Sequence, residues 1–320
     1  MLRWPRAGAL PRIQSQMSNQ ICNYEGSAYR TEFWGQGRQY EDVVERAALR
    51  RMLPREGHRL IDIGGGYGRL APLYAGYEQV VIFDYALSQL RQAHALWGDG
   101  GQDGLPNYTY VAGDYYRLPF AAGAFDTVVM VRALHHAASP PIVLQRLSHI
   151  LRPGGTLVLE FANKRNLKAI IRYLAGRQSW SPFDRAPVEF VPLNFDFHPS
   201  WIQNHLAQAG FSVRQRRAVS SLRLALLKQL LPTRLLVALD RLCQPLGGML
   251  PLSPSVFVRC TADRGKPHRP QAALFRCRSC GSVDLIEADS ELLCLACGAR
   301  FPVHDTIYDL RTPREESRHA

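Results

Sequence analysis

An α/β fold built on a doubly wound sheet is what this 320-residue sequence predicts, and three observations lead there. The stretch Leu60-Ile-Asp-Ile-Gly-Gly-Gly-Tyr-Gly-Arg-Leu70 passes from a short apolar run into glycines at 64, 65, 66 and 68. Glycine lets the backbone turn sharply and approach a ligand where a Cβ would collide, so strand followed by glycine turn opens a nucleotide-binding unit. Next, three successive apolar runs each lead to an acid: Asp62, Asp84 and Asp114. Finally, strand-like runs alternate with helical periodicity up to residue 161, the pattern of a parallel sheet with crossover helices.

Composition sets the outer limits. A chain of this length exceeds the usual single domain, which favours two units. Hydrophobic residues make up 46% and suffice for a large core. The net charge of +12 suggests an acidic partner such as RNA or an anionic membrane surface, or simply a basic, solvated exterior. Residues 1–20 hold Arg3, Arg6 and Arg12, and no acid precedes Glu25. They lack the apolar core of a secretory signal and only superficially match a transit peptide. A disordered leader is expected there, with Met17 as an alternative start. No uncharged run approaches the ~20 apolar residues of a membrane span. A cytoplasmic location, with peripheral membrane contact as an option, is the expectation.

The elements follow in order. Residues 21–37 place Tyr24, Tyr29, Phe33 and Trp34 among glycines and polar residues. They are expected to pack on the domain surface, with lying over a pocket as the alternative. Tyr40, Val43, Val44, Ala47 and Ala48 keep helical spacing, giving a helix over 39–53 that Pro54 ends. His58 to Ile63 is the first strand, and Tyr67 to Gly76 is read as the start of a helix. Gln79 to Phe83 forms the second strand and leads into Asp84, 20 residues after Gly64, where a carboxylate meets ribose hydroxyls in nucleotide-binding units. Tyr85 beside it is suited to pack on adenine. A helix at 86–97, a third strand at 108–111 and Asp114-Tyr115 come next; Asp114 could accept from an adenine amino group. A single such acid would be an ordinary helix cap; three at consecutive strand ends are harder to explain that way. The fourth strand lies within 124–131 and runs into Arg132-Ala-Leu-His-His136. A helix at 140–151 with proline in its first turn and a fifth strand through Glu160 complete this part.

The ordered set IDIGGGYG, VVIFDY, AGDYYRLPF, FDTVVMVRALHH and LRPGGTLVLEF resembles the class I S-adenosylmethionine (SAM) methyltransferases, covering residues 58–161. The likeness is greatest to the branch with the ubiquinone/menaquinone methyltransferases. The dinucleotide fingerprint G-x-G-x-x-G is incomplete, since its third glycine would fall on Arg69. The resemblance implies a Rossmann-like, seven-stranded sheet with an antiparallel finish. His198 to Phe211 matches the family's next helix, with Gly210 closing it; 211–219 and 255–261 supply the last two strands. It also implies a site. Asp62, Gly64, Gly66 and Gly68 hold the methionine end of SAM, with Arg132 nearby. Asp84 takes the ribose, and Tyr85, Asp114 and Tyr115 the adenine. His136, just past the fourth strand, is the candidate base for a substrate hydroxyl, or a structural histidine capping that loop.

Two inserts interrupt the finish. The first, about 164–197, begins Lys164-Arg165-Asn-Leu-Lys168 and continues into an aromatic, proline-rich loop. The second, about 220–254, is leucine-rich, basic and broken at Pro232. From Arg214 to Arg241 there are seven basic residues and one acid, Asp240. A helical lid, a dimer contact or a membrane-surface helix would fit this composition.

Beyond a polar linker at 263–271, the zinc ribbon is expected over 272–312, with a tail at 313–320. The methyltransferase domain spans 21–262. Cys277-x-x-Cys280 and Cys294-x-x-Cys297, thirteen residues apart, bring four thiolates to one ion and leave no water site, as in a structural zinc centre. The run Phe301-Pro-Val-His-Asp-Thr-Ile-Tyr-Asp-Leu310 resembles the small zinc-ribbon family that activates methyltransferases as separate subunits, with Thr306 in place of that family's glycine.

The sequence thus predicts a SAM-dependent methyltransferase carrying structural Zn2+. Neither the N/D-P-P-Y/F run of base-amino methyltransferases nor a Pro-Cys nucleophile is present, which favours a small-molecule or lipid-like acceptor over RNA. A non-catalytic SAM-binding adaptor presenting the ribbon is the alternative from another class, and the oligomeric state is left open.

Overall fold

The computed structural model describes residues 21–35, 37–102, 104–223, 228, 230–248, 251–263 and 273–313. The expected leader, residues 264–271 of the linker, residues 314–320 of the tail and Leu226 lie outside the described residues.

A π-helical turn, Tyr29–Trp34, precedes α1 (Gln39–Met52), which buries Tyr40, Val44, Ala48 and Met52 along one face. Then come β1 (Gly57–Ile63), β2 (Tyr77–Asp84), α2 (Leu87–Trp97), β3 (Asn107–Ala112) and β4 (Phe125–Met130). The sequence continues through α3 (Pro140–Ile150), β5 (Leu151–Ala162), α4 (Leu167–Leu174) and the hairpin β6 (Val188–Val191) and β7 (Asn194–Asp196). Next are α5 (Pro199–Gln208), β8 (Phe211–Val219), α6 (Thr233–Leu246) and β9 (Ser255–Ala262). The C-terminal region adds β10 (Leu285–Ala288), β11 (Glu291–Cys294), β12 (Arg300–His304) and β13 (Ile307–Asp309).

Seven strands run in the order β3-β2-β1-β4-β5-β9-β8, with β9 and β8 antiparallel to their neighbours. Strand residues alternate between the two faces. Val81, Phe83, Val128 and Met130 join a core with residues of α3 and α5. Val80, Ile82 and Val129 join a second core with α1, α2 and α6. Helices on both faces of a mostly parallel sheet are the doubly wound architecture.

Two features depart from the sequence reading. No α-helix follows the glycine loop: residues 64–76 form i→i+3 turns and a short 3-10 segment at Ala71–Leu73. Pro72 has no N–H to give and its ring clashes with the preceding turn of an α-helix, so the longer element cannot propagate. The proline-rich first insert contains the antiparallel hairpin β6–β7, turned by Pro192 and by Leu193 at φ +54°.

The sheet does not stop at β3. β13 pairs with it in parallel, Ile307 opposite Tyr110, Tyr308 opposite Val111 and Asp309 opposite Ala112. β12, β11 and β10 continue the order, giving eleven strands. Cys277, Leu292, Cys294, Phe301 and Leu310 are buried in the same core as β1 to β5.

Candidate active site

The carboxyl ends of β1, β2 and β4 open onto a cleft. Gly64 and Gly66 form its floor, Phe83, Asp84 and Tyr85 one wall, and Tyr115, Arg132, Ala133 and His136 the other. Gly64 sits at φ +72°, and a Cβ there would come within 2.6 Å of the Ala133 Cβ. At Gly66 the space ahead is open, the nearest atom being the Asp84 Oδ2 at 4.0 Å. A side chain at 66 would fill the cradle.

Asp84 ends β2 with its carboxylate fixed by two amides: Gly66 N–H donates to Oδ2 and Ala86 N–H to Oδ1, each at 2.9 Å. Burial raises its pKa while those amides pull it back down. Asp62 lines an adjoining cavity, which it shares with Gly64, Gly66, Tyr67 and Arg132. It accepts from Tyr74 Oη at 2.9 Å, and burial pushes its carboxyl up to about 7. Gly68 and Asp114 stand apart from the cleft lining. The Gly68 carbonyl accepts from Trp97 Nε1 at 3.1 Å, while Asp114 caps the Tyr116 amide at 2.7 Å.

Arg132 carries the site's main positive charge. It holds φ +56°, a strained value for a residue with a Cβ, and its amide donates to Glu160 Oε2 at 2.9 Å. Its Nη1 donates to Glu45 Oε1 at 3.0 Å, and Arg69 takes the other Glu45 oxygen at 2.9 Å. Burial works to lower the pKa of the guanidinium; Glu45 more than offsets this and the pKa rises. Arg132 Nε remains buried with no hydrogen-bond partner, and so does Gln89 Oε1, also on the cleft wall. Arg132 and Gln89 thus each bring a polar atom without a partner to residues that line the cleft.

His136 has a defined tautomer. Its Nδ1 lies 2.9 Å from the Leu193 carbonyl, which can only accept, so Nδ1 carries the proton. Nε2 is therefore a lone pair, and Tyr24 Oη donates to it at 2.9 Å. Burial lowers the pKa of His136, which keeps the ring neutral.

The aromatic stretch at 21–37 turns out to be part of the site. Ile21, Cys22, Tyr24 and Tyr29 line the cleft. Ser88 and Gln89 tie this strap to the start of α2: Ser88 N–H donates to Glu25 at 3.0 Å and Gln89 Nε2 to the Ser27 carbonyl at 3.1 Å. Arg38 sits 3.7 Å from the Phe33 ring centroid and Arg69 3.9 Å from that of Trp34. Aromatic density was the available signal. Gln89 gave none, being one polar residue on a helix.

In the ribbon, Cys277, Cys280, Cys294 and Cys297 place all four Sγ atoms within 4.8 Å of one another. Cys277 and Cys297 sulfurs are 3.7 Å apart, Cys280 and Cys294 sulfurs 3.6 Å. Tetrahedral zinc with Zn–S near 2.3 Å requires about 3.8 Å between sulfurs, so the donor set fits. The ribbon reaches the end of β3 and Tyr85, which lines the cleft. Leu310 N–H donates to the Ala112 carbonyl at 2.8 Å, and Arg311 Nη1 to the Tyr85 carbonyl at 3.4 Å.

Residues 61–159 match the family described as a methyltransferase domain. A ubiquinone/menaquinone biosynthesis C-methyltransferase of Pseudomonas putida is 30% identical over 173 residues, 49% of this chain and 66% of that protein. An uncharacterized chloroplastic methyltransferase of Arabidopsis thaliana is 32% identical over 143 residues, 42% of this chain and 39% of its own length. The match thus spans less than two thirds of either relative. A chain from the complex of the Haloferax volcanii Trm112 methyltransferase activator with a methyltransferase superposes at TM-score 0.50 and 18% identity. It covers 75% of this chain and 97% of its own, which speaks to the fold. The methyltransferase-domain match over residues 61–159, the doubly wound sheet and the four-cysteine cluster support a class I SAM-dependent methyltransferase with a zinc-ribbon-like C-terminal region.

Proposed function

We propose that the protein transfers the sulfonium methyl of SAM to a small-molecule or lipid-like acceptor. The observation that carries this reading is the cleft itself: an amide-anchored carboxylate, Asp84, and Arg132, whose Nε has no partner, line it together with Gly64 and Gly66. SAM supplies an electrophilic methyl group. The chain's residues bind and orient it. Asp84 would accept from the ribose hydroxyls, Arg132 would meet the methionine carboxylate, Asp62 and the turn at Gly64 and Gly66 would hold the amino-acid end, and Tyr85 and Tyr115 would border the adenine; Gly68 and Asp114, which stand apart from the cleft lining, take no part in this arrangement. Alignment and exclusion of water supply most of the rate in such a displacement. The strap at 21–34 covers the cleft. For His136 to take a proton from an acceptor hydroxyl, Tyr24 would have to relay it or leave Nε2, whose lone pair its hydroxyl occupies.

The four thiolates of the ribbon hold structural zinc and thereby stiffen β10 to β13. Through β13 and Arg311 the ribbon supports the edge of the sheet that ends at Asp84 and Ala112. In that position it acts on its own chain as an activator subunit would.

The decisive assay incubates the purified chain with methyl-labelled SAM and lysate split into lipid extract, small solutes and RNA. Label in the lipid or small-solute fraction supports the proposal. Label in RNA replaces it, and SAM binding without transfer to any fraction points to an adaptor.

A further inference from the structure

Helix α4 is built inside out. Leu167, Ile171 and Leu174 stand at i, i+4 and i+7, which puts them on one helical face. That face points to solvent: the three side chains are 52, 58 and 74% exposed. Ala169, on the opposite side, is the one α4 residue that is buried. Leu252, 38% exposed, accepts from the Leu167 amide through its carbonyl and lengthens the row. Phe190 and Val191, at 56 and 51%, add apolar surface at the tip of the β6–β7 hairpin.

The charges around this face are mostly basic. From Lys164 to Val191 there are six basic residues and two acids, Asp184 and Glu189. Lys164 lies 3.9 Å from Asp184, while Lys168, Arg172 and Arg177 are exposed and form no ion pair among the described residues. An outward apolar row flanked by free cations is the pattern of a helix that lies in a lipid headgroup layer.

The surface also adjoins the cleft. The hairpin following α4 is joined at its base to the end of β5, where Phe197 N–H donates to the Ala162 carbonyl. Its turn supplies the Leu193 carbonyl that accepts from His136.

We propose that the outward face of α4, with the hairpin tip, docks on an anionic lipid bilayer and opens the acceptor side of the cleft toward it. This deepens the lipid-like acceptor reading and rests on it only for the route of the acceptor, since docking can be read without methyl transfer.

The experiment sediments the full chain with vesicles of phosphatidylcholine alone and of phosphatidylcholine mixed equally with phosphatidylglycerol. The wild type should bind the mixed vesicles. Leu167→Ser/Ile171→Ser/Leu174→Ser should weaken that binding about tenfold or more, because apolar burial supplies most of it. Lys168→Ala/Arg172→Ala should weaken binding to mixed vesicles alone, and the difference should shrink as salt is raised. Both variants should keep wild-type SAM affinity, which confirms that they fold. Several results would overturn the proposal. One is a wild type that stays in the supernatant, or a serine variant that sediments like it. A second is a dimer dispersed by the serine substitutions, which assigns the face to another copy of this chain. A third is salt-steep RNA binding lost only in the Lys/Arg variant, which assigns it to nucleic acid. Vesicle docking without label in lipid would leave docking intact and remove the lipid acceptor.

Discussion

The ribbon and the first insert hang on the same sheet and treat their apolar surface in opposite ways. The ribbon turns Cys277, Leu292, Cys294 and Phe301 inward, and β13 bonds it to β3. Phe275 packs on both Phe120 and Tyr308, with centroids 6.0 and 4.8 Å apart. The insert buries one residue of α4 and turns its leucines out. Few buried contacts mean low local stability, which is a cost at the cofactor end and an asset where a surface must adapt to its target. The molecule is thus braced where SAM is proposed to bind and loose where the acceptor is proposed to arrive.

Breaking the brace should give the largest effect. Cys294→Ser removes one of four thiolates, and in small zinc modules the metal supplies on the order of 10 kcal/mol of folding free energy. Metal analysis should find one zinc per wild-type chain and much less in the variant; equal contents would contradict the site. Backbone amides of β3 should then exchange faster, since β13 no longer protects that edge. Phe301→Ala, deep in the shared core, should cost about 3–5 kcal/mol by denaturant unfolding. A loss below about 1 kcal/mol would mean that the ribbon merely rests on the domain.

A pH effect comes next. Asp62 has a folded pKa of about 7 against an ordinary 3.8, so between those values the folded chain alone keeps the extra proton. Stability contributed by this carboxyl is complete below about pH 4 and is lost as pH rises through about 7, by on the order of 4 kcal/mol. Asp62→Asn should flatten that part of the stability profile. An unchanged slope would show that Asp62 ionises normally. At the other extreme, Leu174→Ser in the insert should alter stability by no more than about 0.5 kcal/mol, the usual size for an exposed position. A cost comparable to Phe301→Ala would abolish the contrast between the two regions.

The sequence carried the brace more clearly than the loose side. The glycine run at 64–68, the acids after successive apolar runs and the paired cysteines are local signals, each set by what a few adjacent residues must do. Strand and helix positions from 39 to 161 follow from periodicity for the same reason. What stayed hidden depends on distant partners. Tyr24 reaches His136 across 112 residues. Gln89 lines the cleft because of where α2 lands, and the pairing of β13 with β3 has no counterpart in the pattern of either strand. The helix expected after Tyr67, read from the strand and glycine turn before it, was lost to Pro72, itself a local signal. On α4, spacing locates the apolar row without showing which side of the helix is covered.

The central claim is that SAM occupies the cleft at the ends of β1 and β2. Calorimetric titration of the zinc-loaded full chain tests it most directly. One SAM should bind per wild-type chain, and Asp84→Ala should weaken binding by about 1–3 kcal/mol, the cost of leaving hydroxyls and the Gly66 amide unpaired in a buried site. Absence of binding to the wild type, or equal affinity in a folded Asp84→Ala chain, would contradict it.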